Sequence, residues 1–224
     1  MTTETNPALD KKSLRRTDRA LADLRRGLPI LVTSEDQDVI LLSTEMASDA
    51  EVAALEELAG TKPCLALTSH RANVLHIKPT GDKTIRVRIE DWMDAPLMRA
   101  LADATHDLDQ PFRGPFTRLK GRISIAHDAS IKAAKLARLL PSAILSTLEK
   151  GKAEEIAREN DLSLITSDDI FDYDDISARQ LHPVAGASAY GIGHGRPPPS
   201  PARAPLAVRR DRVGPGRRAV GRRA

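Results

Sequence analysis

The chain has 224 residues, of which 41% are hydrophobic and 29% charged, so it can form one folded domain or two small ones. It has no apolar run of about 18 residues and no signal-peptide core before Arg16, which argues against a membrane partner and predicts a cytoplasmic location. Cys64 is the only cysteine, so an internal disulfide and a site with two thiolates are excluded.

The composition changes near Arg179. Residues 180–224 contain 9 Arg, 8 Ala, 7 Pro and 7 Gly with a single acid, Asp211. This segment therefore carries a net charge of +8, and residues 1–179 carry −5 of the formal total of +3. The basic character of the whole chain comes from its C-terminal part.

Three domain regions follow from this change. We expect residues 1–12 to be a flexible N-terminus, residues 13–176 to form an α/β domain, and residues 177–224 to be a disordered tail rich in Arg, Pro, Gly and Ala. The tail has no Lys, whereas nucleic-acid-binding arms mix Lys with Arg. Its residue types are those that GC-rich codons specify, which favours a frameshifted or read-through terminus over a native disordered tail or a binding arm.

Alternating short apolar runs and amphipathic stretches predict a mixed α/β domain, with a mixed sheet and flanking helices. Ser48 and Glu51 form a capping box, Ser167 is a predicted N-cap, and the segment 107–121 is predicted to be a surface loop. The predicted elements are a helix over 13–26 ended by Gly27, strands over 28–32 and 39–42, a helix from 48 to 60, a strand over 64–67, a helix over 69–75, a strand over 84–89, helices over 95–104 and 129–140, a strand over 143–145, a helix over 152–159, a strand over 162–165 and a helix over 167–173.

The predicted loop between the first two strands carries three carboxylates, Glu35, Asp36 and Asp38. Such a group could hold a divalent metal or act as a general base. No His or fourth ligand lies near it in sequence, so a solvated connection is favoured.

Other polar motifs are weak. His70 and Arg71 follow a predicted strand and could contact a phosphate, although a polar turn is favoured. The glycine cluster 191–195 follows no strand, and Ser142 and Ser163 lack the context of a nucleophile elbow. At 3% aromatic residues the chain offers no stacking platform for single strands. No catalytic, cofactor-binding or metal-binding residue is assigned.

Three ordered stretches, 20–32, 64–72 and 157–173, resemble the 3,4-dihydroxy-2-butanone-4-phosphate synthase domain that many bacteria fuse in front of GTP cyclohydrolase II for making riboflavin. They match its opening helix, Gly-x-Pro turn and strand, then its next core strand, and finally its closing helix, strand and Asp-Ile-x-x-Tyr turn. The segments 109–116 and 134–141 look like the degenerate synthase-like half of some proteobacterial GTP cyclohydrolase II proteins.

The chain lacks the catalytic motifs of the synthase. The synthase has an Asp-Glu-Asp run leading into Glu-x-Glu-Gly-Asp, which binds magnesium and abstracts a proton, but here residues 34–38 run directly into an apolar strand. Its later Arg-x-Gly-His-Thr segment is also missing. The cyclohydrolase catalytic domain carries zinc on Cys-x10-Cys-x-Cys, a site that a chain with Cys64 alone cannot build.

The resemblance implies membership of the GTP cyclohydrolase II family. The intact enzyme of that family binds GTP as its substrate and hydrolyses it to a diaminopyrimidine phosphate, formate and pyrophosphate. For this chain we expect an inactive synthase-like domain with no cofactor of its own, truncated or frameshifted before the catalytic domain. A homodimer is compatible with the resemblance. Nucleic-acid binding through the tail, with steep salt dependence, and weak magnesium-dependent synthase activity through Glu35, Asp36 or Asp38 are the alternatives.

The origin of the tail can be tested on the gene. Translation of all three frames across the codons for 175–224 and beyond is expected to reveal Cys-x10-Cys-x-Cys in another frame. If every frame lacks this motif, the tail is native, and a binding or scaffold protein becomes the preferred interpretation.

Overall fold

A computed structural model of the chain describes residues 7–78, 81–107 and 114–180. Within these residues the chain forms one six-stranded mixed sheet flanked by helices, as predicted. The elements are α1 (Pro7–Arg25), β1 (Ile30–Thr33), β2 (Asp38–Ser43), α2 (Asp49–Ala59), β3 (Cys64–Thr68), α3 (Ser69–Val74), β4 (Thr84–Arg88), α4 (Ala95–Ala102), a 3-10 turn (Ala104–His106), α5 (Ile125–Leu136), β5 (Ser142–Leu148), α6 (Lys152–Glu159), β6 (Ser163–Thr166), α7 (Ser167–Phe171) and α8 (Tyr173–Gln180).

The strands lie in the order β4-β3-β5-β2-β1-β6. All neighbouring pairs are antiparallel except β1 and β6, which run parallel. The longest pairing joins the central strands β2 and β5, from Asp38 opposite Leu148 to Ser43 opposite Ala143. This register places the turn after β1 beside the end of β5.

Both faces of the sheet are buried, because side chains alternate between them along each strand. Leu31, Ile40 and Ile144 face a core completed by α2, α3, α4 and α6. Val32 and Leu41 face a second core, completed by α1, α5 and α7. The described residues therefore form three layers, with helices on both sides of the sheet.

Three predicted helix ends are confirmed in atomic detail. Ser48 Oγ accepts the Glu51 amide hydrogen at 3.3 Å, and the Glu51 carboxylate accepts the Ser48 amide hydrogen at 2.7 Å, which completes the capping box before α2. Gly60 ends this helix with φ of 64°, and Gly27 follows α1 with φ of 81°. Both glycines adopt the left-handed conformation that other residues disfavour.

Three helix starts differ from the prediction. Helix α1 begins at Pro7 instead of residue 13, since proline is well accommodated at the first position of a helix. Helix α5 begins at Ile125 instead of residue 129, because His127 caps its start. The N-cap of α7 is Thr166, whose hydroxyl accepts the Asp169 amide hydrogen at 3.1 Å, and the predicted cap Ser167 is already helical.

Helix α8 crosses the predicted boundary between residues 176 and 177 and reaches Gln180. The remainder of the predicted tail, residues 181–224, lies outside the described residues, as do 108–113 of the predicted loop. The end of that loop pairs with the edge of β4, where Arg88 donates to the Thr117 carbonyl at 2.8 Å and Leu119 to the Arg86 carbonyl at 2.9 Å. No described helix has the length and apolar character needed to cross a bilayer.

Truncation of the central core is expected to destabilise the domain strongly. Leu41 is fully buried on β2, so Leu41→Ala should lower the free energy of unfolding by about 3 kcal/mol through lost burial and an unfilled cavity. Leu28 is 48% exposed, and Leu28→Ala removes the same atoms at a cost below about 0.5 kcal/mol. Urea unfolding of both variants measures the contrast, and equal losses would contradict the assigned burial.

Candidate functional site

The predicted acidic loop is a tight, self-bonded turn between β1 and β2. Ser34 Oγ donates to the Gln37 carbonyl at 2.7 Å and accepts the Gln37 amide hydrogen at 3.2 Å. Ser34 is itself buried, so the turn closes around the hydroxyl group of this residue.

Asp38 is a structural carboxylate. Its side chain is buried, and it accepts hydrogen bonds from the Gly151 amide at 2.9 Å and from Lys150 Nζ at 3.2 Å. The same ammonium group donates to the Ser34 carbonyl. A buried carboxylate requires such partners, and here they join the turn to the start of α6, whose N-cap is Gly151. The favoured prediction of a solvated connection is therefore wrong for Asp38.

The other two acids of the loop lie at the surface. Glu35 is exposed, and Asp36 forms an ion pair with Arg122 at 3.2 Å, where the Arg122 side chain is 83% exposed. In the described ranges, no group of three His, Cys, Asp or Glu side chains is placed to hold a metal ion. The acids of this loop thus do not fit a magnesium site.

The structure also assigns Arg71 a role in packing. Its guanidinium donates two hydrogen bonds of 2.6 Å to the carboxylate of Asp107, a third of 2.6 Å to the Leu101 carbonyl and a fourth to the Asp103 carbonyl. These contacts hold α3 against the end of α4. The phosphate contact that the sequence analysis considered and did not favour does not suit Arg71, because four hydrogen bonds of its guanidinium are made inside the protein, whereas its neighbour His70 is exposed.

Neither the single thiol nor the two serines resemble a nucleophile site. Cys64 is buried in β3, where burial raises the pKa of its thiol to about 12 despite the nearby Arg86 guanidinium. A thiol held in this form does not fit a zinc ligand. Ser142 is buried in β5, and Ser163 donates to Asp23 at 2.6 Å. The glycine cluster 191–195 lies outside the described residues.

A buried histidine that the sequence reading passed over caps α5. His127 is fully buried, its Nδ1 accepts the Ser124 amide hydrogen at 3.1 Å, and its Nε2 lies 3.4 Å from Arg86 Nη1. Burial and the Arg86 charge lower the pKa of His127 to about 4. The ring is therefore neutral near pH 7, and the Ser-x-x-His spacing at the start of an amphipathic stretch is the signal that could have revealed this cap.

A cleft lies at the opposite end of the sheet from the acidic loop. It has a volume of about 420 Å³ and is enclosed by the end of β3, the start of β4, α5 and α7. We call it the lysine cleft after the three lysines among its lining residues, which are Thr68, Ser69, His70, Lys83, Thr84, Asp128, Ile131, Lys132, Lys135 and Phe171. Sequence reasoning missed it because its charges come from two elements, β4 with its preceding turn and α5.

The lysine cleft favours an anion. Lys132 pairs with Asp174, while Lys83 and Lys135 form no ion pair with any described residue. Asp128 accepts a hydrogen bond from the buried Thr84 hydroxyl at 2.6 Å, which ties α5 to β4. The cleft thus has two lysines without an ion pair in the described part of the chain, beside one oriented carboxylate.

No protein-family model matches the chain. The chain is 35% identical over 182 residues to a GTP cyclohydrolase-2 of Azospirillum brasilense, and this alignment covers 80% of the chain. It covers 47% of the relative, so the chain spans about half the length of the curated protein that it matches.

Solved structures show the fold. A two-domain 3,4-dihydroxy-2-butanone 4-phosphate synthase from A. baumannii aligns at a TM-score of 0.55 and 18% identity, over 70% of this chain and 57% of that one. The Candida albicans synthase aligns at 0.54 and 15%, over 70% and 96% of the two chains. A synthase in complex with two magnesium ions aligns at 0.54 and 15%, over 73% and 98%. The predicted resemblance and the predicted fold are both confirmed.

The neutral, buried His127 predicts a pH dependence of stability. The unfolded chain protonates this ring below about pH 6.5 while the folded chain resists protonation down to about pH 4. The contribution of the neutral His127 ring to the free energy of unfolding is therefore complete above pH 6.5. It is lost as the pH drops toward 4, which lowers the free energy of unfolding by about 3 kcal/mol at most.

Urea unfolding at pH 7 and pH 4.5 checks this. His127→Gln should lose clearly less stability over that interval than the wild type, because it removes the proton uptake. His70→Gln, at an exposed ring, should retain the wild-type pH dependence. An unchanged pH dependence in His127→Gln would show that this ring is not the group responsible.

Proposed function

We propose that this chain, a relative of GTP cyclohydrolase II by sequence with the fold of 3,4-dihydroxy-2-butanone 4-phosphate synthase, is a non-catalytic synthase-like domain of a riboflavin-biosynthesis protein. The observation that carries the proposal is the burial of Asp38 against Lys150 and Gly151. A carboxylate used to hold a helix start is not available to a metal ion or a substrate proton.

The surroundings of the loop support the same proposal. Glu35 and Asp36 remain on the surface, and Asp36 faces the Arg122 guanidinium. Two exposed carboxylates of this kind lack the converging oxygen ligands and the enclosure that a magnesium-dependent proton abstraction requires. The loop therefore has acidic residues but does not arrange them as a magnesium-binding site.

The same reasoning extends to GTP. Hydrolysis in the family enzyme is expected to depend on zinc held by three cysteines, and Cys64 is the only cysteine of this chain. Because Cys64 is buried as a neutral thiol, it contributes no ligand. We infer that the chain itself does not turn over GTP and that in longer relatives the domain contributes to dimerisation or stability.

Two activity assays test the proposal on the full chain. Turnover of ribulose 5-phosphate with magnesium and of GTP with zinc should both equal the rate without protein. The Candida albicans synthase serves as the positive control for the first assay.

The outcome that contradicts the proposal is magnesium-dependent turnover of ribulose 5-phosphate that disappears in Glu35→Gln. Glu57→Gln, at an exposed position on α2, is the matched control and should leave any such turnover unchanged. That pattern would identify the chain as a weak synthase.

A further inference from the structure

We propose that the lysine cleft binds a nucleoside monophosphate. The cleft is separate from the acidic loop, since it is built at Thr68 and Thr84, which pair at one end of β3 and β4. The strand pairing places this end beside Ser142, at the start of β5, whereas the acidic loop meets Leu148 at the other end of β5. The inference is therefore independent of the proposed function.

Positive charge supplies the phosphate subsite. Lys83 at the entry to β4 and Lys135 on α5 are exposed and form no ion pair with a described residue. Each ammonium group has three donors, and a bond between an ammonium group and a phosphate oxygen is stronger than one between neutral groups. Two ammonium groups that line one cleft and have no ion-pair partner among the described residues suit a dianionic phosphate group.

Helix spacing brings the remaining polar groups to the same wall. Asp128, Lys132 and Lys135 recur at intervals of four and three residues, so they share one face of α5. Asp128 is oriented by the Thr84 hydroxyl through one oxygen and keeps further acceptor capacity. A carboxylate that accepts hydrogen bonds beside a phosphate subsite suits the hydroxyl groups of a ribose.

An aromatic side chain completes the arrangement. Phe171, at the end of α7, is 43% exposed although it lines the cleft, and Ile131 provides a second apolar contact there. A planar base can stack on such a ring. The volume of about 420 Å³ lies within the range of small-molecule sites, so phosphate, ribose and base can be held together.

Calorimetric titration of the full chain with GMP, AMP, guanosine and inorganic phosphate tests the proposal. Both nucleotides should bind more tightly than inorganic phosphate, and guanosine should bind at least about tenfold more weakly than GMP, because it lacks the charge-assisted bonds. Residues 180–224 are present in every sample, so binding of a given ligand to their arginines contributes equally to the wild type and to each variant.

Two variants locate the site. Lys83→Gln combined with Lys135→Gln should weaken GMP binding about tenfold or more. Lys62→Gln combined with Lys120→Gln removes two exposed lysines from elsewhere and should change the Kd less than about twofold. Phe171→Ala should weaken GMP about fivefold without affecting inorganic phosphate.

Three results would overturn the proposal. The first is no measurable binding of GMP and AMP, and the second is equal weakening by the two lysine pairs, which would indicate a general charge effect. The third is equal affinity for GMP and inorganic phosphate with no effect of Phe171→Ala, which would leave an anion site without a nucleotide. Thermal unfolding of each variant checks that the chain is folded. If the double lysine variant does not fold, GMP binding is measured instead on the single variant Lys135→Gln, which changes an exposed side chain.

Discussion

Burial of the sheet on both faces is the constraint on which the rest of the structure depends. A strand with apolar side chains on both sides needs a helical layer on each, and the helices of this chain supply the two layers. Once β2 and β5 are enclosed in this way, a polar group near their ends must either reach solvent or find a partner inside the protein. Glu35 and Asp36 reach solvent, whereas Asp38 has its partners inside the protein.

The same rule accounts for three buried polar side chains of the domain, two of which the sequence analysis considered for chemistry and one of which it passed over. Asp38, Arg71 and His127 are each enclosed and hydrogen-bonded: Asp38 to the start of α6, Arg71 to the end of α4, and His127 to the residue that precedes its own helix. These contacts are structural, since every partner is a backbone group or a side chain of the same domain, and the Ser124 hydroxyl, 2.6 Å from His127 Nδ1, is one of them. Exposed charge without an ion-pair partner among the described residues lies instead in the lysine cleft, at Lys83 and Lys135.

Sequence could predict the elements because their signals are local. The capping box at Ser48, the glycine after α2 and the apolar runs of the central strands each depend on residues within one turn or one strand. The role of Asp38 could not be predicted, because its partners Lys150 and Gly151 lie more than a hundred residues further along the chain. The lysine cleft was missed for the same reason, since its walls meet only in the folded sheet.

The buried position of Asp38 also bears on how such a domain could change over evolutionary time. Glu35 and Asp36 already place two carboxylates at the surface of the turn, but the third acid, Asp38, is engaged at the start of α6. Releasing it would remove the partner of Lys150 and leave a buried carboxylate without compensation until a metal ion arrived. A change that turned Asp38 toward a metal ion would therefore pass through a less stable protein, so the structural use of this acid opposes metal binding by the turn.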